Sequence, residues 1–92
     1  MNQPLSAANA RKLAKEIIES GNVVFGSHAV TEMAKDNLST VDVVNVLRGG
    51  AYGEAEWENG EWRHQAYTQR ITVVIAFESE TELSVVTAWR KK

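Results

Sequence analysis

Residues 52–68 read Tyr52-Gly53-Glu54-Ala55-Glu56-Trp57-Glu58-Asn59-Gly60-Glu61-Trp62-Arg63-His64-Gln65-Ala66-Tyr67-Thr68, and this stretch decides the fold. Asn-Gly accepts positive φ at both centres of a type I′ turn, whose twist suits two antiparallel strands. The spacing predicts a hairpin with strands at 52–57 and 61–68. A two-residue loop sets Trp57 opposite Trp62, Glu56 opposite Arg63, Ala55 opposite His64 and Tyr52 opposite Tyr67. One face then carries Gly53, Ala55, Trp57, Trp62, His64 and Ala66, and is expected to meet the core. The other carries Tyr52, Glu54, Glu56, Arg63, Gln65 and Tyr67, an open polar surface. A slip of one residue would exchange the faces.

On the C-terminal side, residues 71–77 and 83–90 are two more strands, rich in Val, Ile and Thr. On the N-terminal side the period is helical. Ala10, Leu13, Ala14, Ile17 and Ile18 form one apolar stripe on a helix over 6–20, with Ser6 as its cap and Gly21 as a left-handed stop. Residues 22–25 make a short strand candidate. Ser27 can cap a second helix that carries Ala29, Val30, Met33 and Ala34 on one side. Ser39-Thr40-Val41-Asp42 reads as a capping box for a third helix, about 40–48, ended by Gly49-Gly50. Helices followed by strands indicate α+β: N-terminal helices packed on an antiparallel sheet of four strands, or five with 23–25. A tail over 1–5 and a single domain over 6–92 follow.

The whole chain has 92 residues, enough for one modest core and too few for a dinucleotide fold. It has no cysteine, which excludes a disulfide scaffold, a thiolate zinc site and an iron–sulfur cluster, and fits a reducing cytoplasm. The longest apolar run, Val73-Val74-Ile75-Ala76-Phe77, is far short of a membrane span or signal-peptide core, so export and anchoring are not expected. The formal net charge is −2. Residues 1–50 hold five basic and five acidic side chains, and residues 51–92 hold five and seven. Any nucleic-acid-binding patch must therefore be local. Metal-ligand spacings, phosphate-loop glycines and a nucleophile elbow are all missing, so neither a metal nor a cofactor is expected.

Phe25-Gly26-Ser27-His28-Ala29, then Met33, then Leu38-Ser39-Thr40-Val41-Asp42-Val43-Val44-Asn45-Val46-Leu47, and the ending Val85-Val86-Thr87-Ala88-Trp89-Arg90, together form a pattern. It resembles the bacterial family known as domain of unknown function 4258, over about residues 23–91. Glu32 stands where that pattern carries arginine. In length and element order such proteins are similar to the RelE-like, BrnT-like and MqsR-like toxins of toxin–antitoxin pairs. The resemblance implies a small cytoplasmic endoribonuclease, metal-independent, acting on single-stranded RNA and neutralised by an antitoxin. It also implies a functional basic residue at the end of the last strand, which by position is Arg90.

Such cleavage needs a base for the 2′-hydroxyl proton, an acid for the leaving 5′-oxygen, and fixed cations for the charged phosphorane. The catalytic candidates are His28, Arg63, Tyr67 and Arg90, with Arg70, Lys91 and Lys92 as RNA-binding cations. As the first residue of the second helix, His28 would have its ring kept neutral by the positive helix end and could act as a base. Equally, it could pack between helix and sheet and bond a carbonyl. Arg63 could hold phosphate with Glu56 orienting it, or simply form a cross-strand ion pair with Glu56. His64, on the apolar face, reads as a buried, hydrogen-bonded histidine. The three tryptophans read as core unless one is exposed beside an arginine. The basic end 90–92 serves either phosphate or solubility. The competing function is a non-catalytic protein-interaction module of the same fold, immunity-type or regulatory, which the acidic balance and Glu32 favour.

Overall fold

The computed structural model describes residues 4–92. Among these the chain runs α1 (Ala7–Ser20), β1 (Asn22–Phe25), α2 (Ser27–Lys35), α3 (Thr40–Gly49), β2 (Ala51–Tyr52), β3 (Glu56–Glu58), β4 (Glu61–Tyr67), β5 (Ile71–Phe77) and β6 (Glu82–Arg90). The sheet order is β1-β6-β5-β4-β2, and β3 pairs with β4 off this path. Neighbours are antiparallel except β1, which lies parallel to β6. The fold is α+β, with the helices packed on one face of a mostly antiparallel open sheet. Of the tail expected over 1–5, residues 1–3 lie outside the described residues, and Leu5 packs half-buried against the core.

The helices form where the sequence supplies both a cap and an apolar stripe. Ser6 Oγ accepts the Asn9 amide at 3.1 Å, and α1 buries Ala10, Ala14 and Ile17. Ser39 and Asp42 close a reciprocal capping box on α3, which buries Val43, Val46 and Leu47. In α2 the cap position falls to Gly26 rather than Ser27, with no side-chain cap bond. Ala29 and Met33 are buried there, while Val30 and Ala34 face outward, so the buried stripe is narrower than expected. Gly21 ends α1 in extended rather than left-handed conformation, at φ −115°. Glycine is needed for a different reason: a Cβ would strike the backbone oxygen of Thr81 in the β5–β6 turn.

The hairpin register holds at its tip, with Trp57 opposite Trp62 and Glu56 opposite Arg63. Asn59 and Gly60 take φ of 49° and 81°, as a type I′ turn demands. Beyond Glu56 the strand breaks. Tyr52 pairs with Ala66, and Ala51 with Tyr67, so residues 53–55 hold one residue more than the partner strand. That extra residue moves Tyr52 from the expected open face to the core face. There it is half-buried and its hydroxyl donates to the Leu47 carbonyl at 2.8 Å. It also frees β3 from the main sheet, so the hairpin 56–62 forms an arm. Trp57 on that arm is 58% exposed instead of joining the core.

The core lies between the helices and the inward row of the sheet: Ala66, Val73, Ile75, Phe77, Leu83, Val85 and Ala88. Each large aliphatic there contributes about 1.5–3 kcal/mol by leaving water. A register shift between Val74 and Ile75 leaves Val86 as an extra residue on β6, a bulge in the β5–β6 pairing.

Candidate nucleic-acid interface

The two chain reversals at one end of the sheet bring together residues distant in sequence. Thr68 Oγ1 accepts the amides of Arg70 and Ile71, each at 3.1 Å, and fixes the β4–β5 turn. The Lys91 amide donates to the Arg70 carbonyl at 2.7 Å, tying the end of β6 to that turn. Lys91 Nζ then donates to the Thr68 carbonyl at 2.8 Å and stands 4.9 Å from the centre of the Tyr67 ring. This is a cation–π distance. Tyr67 is opposite Thr72, and Thr72 opposite Trp89, so the three side chains form one row across the open face. Thr72 is only 5% exposed, while Tyr67 and Trp89 are 37% and 38% exposed. Tyr67, Arg70, Lys91 and the adjoining Lys92 thus share one end of the sheet with a second exposed ring. Trp89 is the residue that sequence reasoning missed. Its outward position follows from alternation against Ala88, which is fully buried.

Arg90 reaches the same end on the opposite face. It pairs with Ile71, one residue out of step with the Tyr67–Thr72–Trp89 row. Its guanidinium turns to the C-terminus of α2, with Nε donating to the Asp36 carbonyl at 2.9 Å and Nη2 to the Asn37 carbonyl at 3.3 Å. Cations suit a helix C-terminus, where carbonyls lack helical partners.

Arg63 lies four residues before Tyr67 on β4, about 13 Å away by strand rise. Its register partner is Glu56, yet the guanidinium binds two other carboxylates: Nη1 meets Glu58 at 3.0 Å and Nε meets Glu61 at 3.1 Å. The ion pair expected with Glu56 is therefore replaced, because the Asn59-Gly60 turn brings both neighbours nearer. Such half-exposed pairs contribute well under about 1 kcal/mol each.

His28 is the second residue of α2, not the first, and is exposed rather than packed between helix and sheet. It lies about 12 Å along the helix from Asp36, where Arg90 is anchored. One turn on, Glu32 pairs with Lys35 at 2.7 Å; that hydrogen bond, and secondarily its charge, holds the Glu32 carboxyl below its usual range. The structure therefore groups Tyr67 with Arg70, Lys91 and Lys92. It sets Arg90 behind the sheet, Arg63 among carboxylates, and His28 on α2. General acid–base chemistry requires contacts of about 3 Å, directly or through one water, and these four expected catalysts do not share such a centre.

His64 is buried, as its face implied, at 2% exposure, edge-on to Phe77 with ring centres 5.4 Å apart. Its Nδ1 has no hydrogen-bond partner among the described residues, which departs from the expectation of a satisfied ring. Burial holds its pKa below the ordinary histidine value. Among the described residues no three His, Asp or Glu side chains converge as metal ligands, and no helix is long and apolar enough to cross a membrane.

Comparison with known proteins places this geometry in a family. No curated protein and no solved structure gives a significant match to the chain. The family described as Domain of unknown function (DUF4258) matches residues 25–90, from the last residue of β1 to the end of β6. With that match spanning most of its length, the chain belongs to the DUF4258 family.

Proposed function

We propose that the chain is a toxin-like, metal-independent endoribonuclease of a bacterial toxin–antitoxin module, cytoplasmic, taking single-stranded RNA at the Tyr67–Lys91 end of its sheet. The observation that carries this reading is the junction of two exposed rings, Tyr67 and Trp89, with the cations Arg70, Lys91 and Lys92. Flat rings accept unpaired bases of any sequence, and flanking cations track the phosphates. In the cleavage step a 2′-oxygen attacks the adjacent phosphorus and gives its proton to solvent water, while the P–O5′ bond breaks and the 5′-oxygen takes the phenol proton of Tyr67, which water then restores. Lys91 stabilises the charged phosphorane with the N–H groups left over from its bond to the Thr68 carbonyl. Tyr67 is the proton-transfer group beside it. Arg70 and Lys92 hold flanking phosphates. An antitoxin is the expected protein partner.

The second reading, a non-catalytic interaction module, draws on the duties of Arg63 and Arg90. Both guanidinium groups are engaged by the chain's own oxygens and offer less to a phosphorane. One experiment separates the two: the protein is mixed with a short unstructured RNA in chelator, and binding and cleavage are both followed. Cleavage yielding a 2′,3′-cyclic phosphate and a 5′-hydroxyl, lost in Lys91→Ala and Tyr67→Phe, supports the ribonuclease. Binding without cleavage, weakened by Lys91→Ala, would keep RNA at this end of the sheet and remove the ribonuclease. The absence of both binding and cleavage supports the non-catalytic protein-interaction module.

A further inference from the structure

We propose that the hairpin arm 56–62 is a docking edge for an extended, cationic segment of a partner protein, which adds as a strand beside β3. The inference stands on the arm alone and does not depend on the RNA reading.

The first observation is the free edge. Among the described residues β3 pairs only with β4. In a two-residue hairpin the closing pair, here Glu58 and Glu61, exchanges its hydrogen bonds, so the next pair, Trp57 and Trp62, directs its amides and carbonyls away from each other. Trp57 therefore offers a donor and an acceptor to an incoming strand. Its position on a short strand beyond the bulge keeps the main sheet from covering it.

The second observation is the exposed indole. Trp57 stacks edge-on against Trp62, ring centres 5.2 Å apart, and this contact holds the ring in a fixed place while 58% of the residue stays open. A fixed aromatic on an open edge presents an anchor of the kind that dominates interfaces, and its face attracts Arg or Lys.

The third observation is charge. No basic residue occurs between Arg48 and Arg63, whereas Glu54, Glu56, Glu58 and Glu61 fall in that interval. The one nearby cation, Arg63, is already bound to Glu58 and Glu61. Glu78, Glu80 and Glu82, around the β5–β6 turn, lie at the same end of the sheet, about 20 Å along β4 from Arg70 and Lys91. The sheet is thus acidic at the arm and basic at the other end. On β3, Glu56 and Glu58 share one side and Trp57 takes the other, so the complementary strand carries Lys or Arg against the carboxylates. A second copy of this chain fits poorly. The strands that end the main sheet, β1 (Asn22-Val23-Val24-Phe25) and β2 (Ala51-Tyr52), hold no cation.

The test uses the whole protein and a synthetic peptide of about eight residues alternating Arg and Val, with a Glu–Val peptide as its charge-reversed control. The Arg–Val peptide should bind, shift the Trp57 indole and slow exchange of the Trp57 amide. Glu56→Gln with Glu58→Gln should weaken it about tenfold at low salt. Trp57→Ala should weaken it too, and both variants should keep wild-type amide protection in β5 and the wild-type behaviour toward RNA. Equal binding of both peptides, no protection of the Trp57 amide, or unchanged affinity in the double variant would overturn the proposal. So would a protein whose mass doubles with concentration while the Trp57 amide becomes protected, since the arm would then serve self-association.

Discussion

Arg90 and Asp36, 54 positions apart in sequence, hold one another from both sides: the Arg90 amide donates to Asp36 Oδ2 at 2.8 Å, and the Arg90 guanidinium donates to the Asp36 carbonyl at 2.9 Å. The last strand is thereby clamped to the end of α2. Arg90→Ala is expected to cost about 1 kcal/mol, because net charge-assisted bonds at an exposed site are modest. In a domain of this size that lowers the melting temperature by about 4–8 °C. Arg90→Lys should recover only part of the loss, since an ammonium cannot reach both the Asp36 and Asn37 carbonyls as a fork does. A calorimetric melt checks this. An Arg90→Ala protein with unchanged melting but lost RNA cleavage would return Arg90 to the catalytic role.

The arm depends on its turn. Gly60 sits at φ 81°, and a Cβ there meets no neighbouring atom, so the strain of Gly60→Ala is purely conformational. The expected loss is about 1 kcal/mol. It should appear locally, as faster amide exchange over 56–62, while the amides of β5 remain protected. Uniform loss of protection would mean that the arm and the main sheet unfold as one unit.

The hairpin tip was legible because Asn-Gly fixes both turn type and register within four residues. The α1 and α3 boundaries were legible because their caps are local in sequence. Tyr52 was not, because one extra residue between 53 and 55 reverses every face assignment beyond it, and period-two alternation carries no mark of where a strand bulges. Gly53 was the available signal, since glycine inside a strand pattern often marks such a break. The site was legible in its residue types and illegible in its grouping. Arg63 and Arg90 differ from Arg70 and Lys91 only in what surrounds them, and those surroundings are carboxylates and helix carbonyls set by tertiary contacts.

Tyr52 tests the bulge directly. Burial pushes its phenol well above the ordinary value, and its hydroxyl donates to the Leu47 carbonyl in the last turn of α3. Tyr52→Phe keeps the ring and removes the bond, at a cost of about 1 kcal/mol. Had Tyr52 stood on the open face opposite Tyr67, the same change would be neutral. Denaturant midpoints of the two proteins decide between these placements.

His64 makes stability depend on pH in a defined direction. Its ring is enclosed beside Phe77, its Nδ1 has no partner among the described residues, and burial lowers its pKa from the ordinary 6.5. In the unfolded chain the ring takes a proton as pH falls through about 6.5, while the folded chain resists until a lower pH. Between those two values the unfolded state binds more protons, so stability declines as pH falls. Above 6.5 the ring is neutral in both states and contributes no slope. For one proton the decline cannot exceed about 1.4 kcal/mol per pH unit. His64→Gln removes the titrating group, so the difference in unfolding free energy between wild type and variant should be flat above pH 7 and should change below 6.5. A wild-type slope that survives His64→Gln unchanged would assign the pH dependence to other groups and place the His64 ring in contact with solvent.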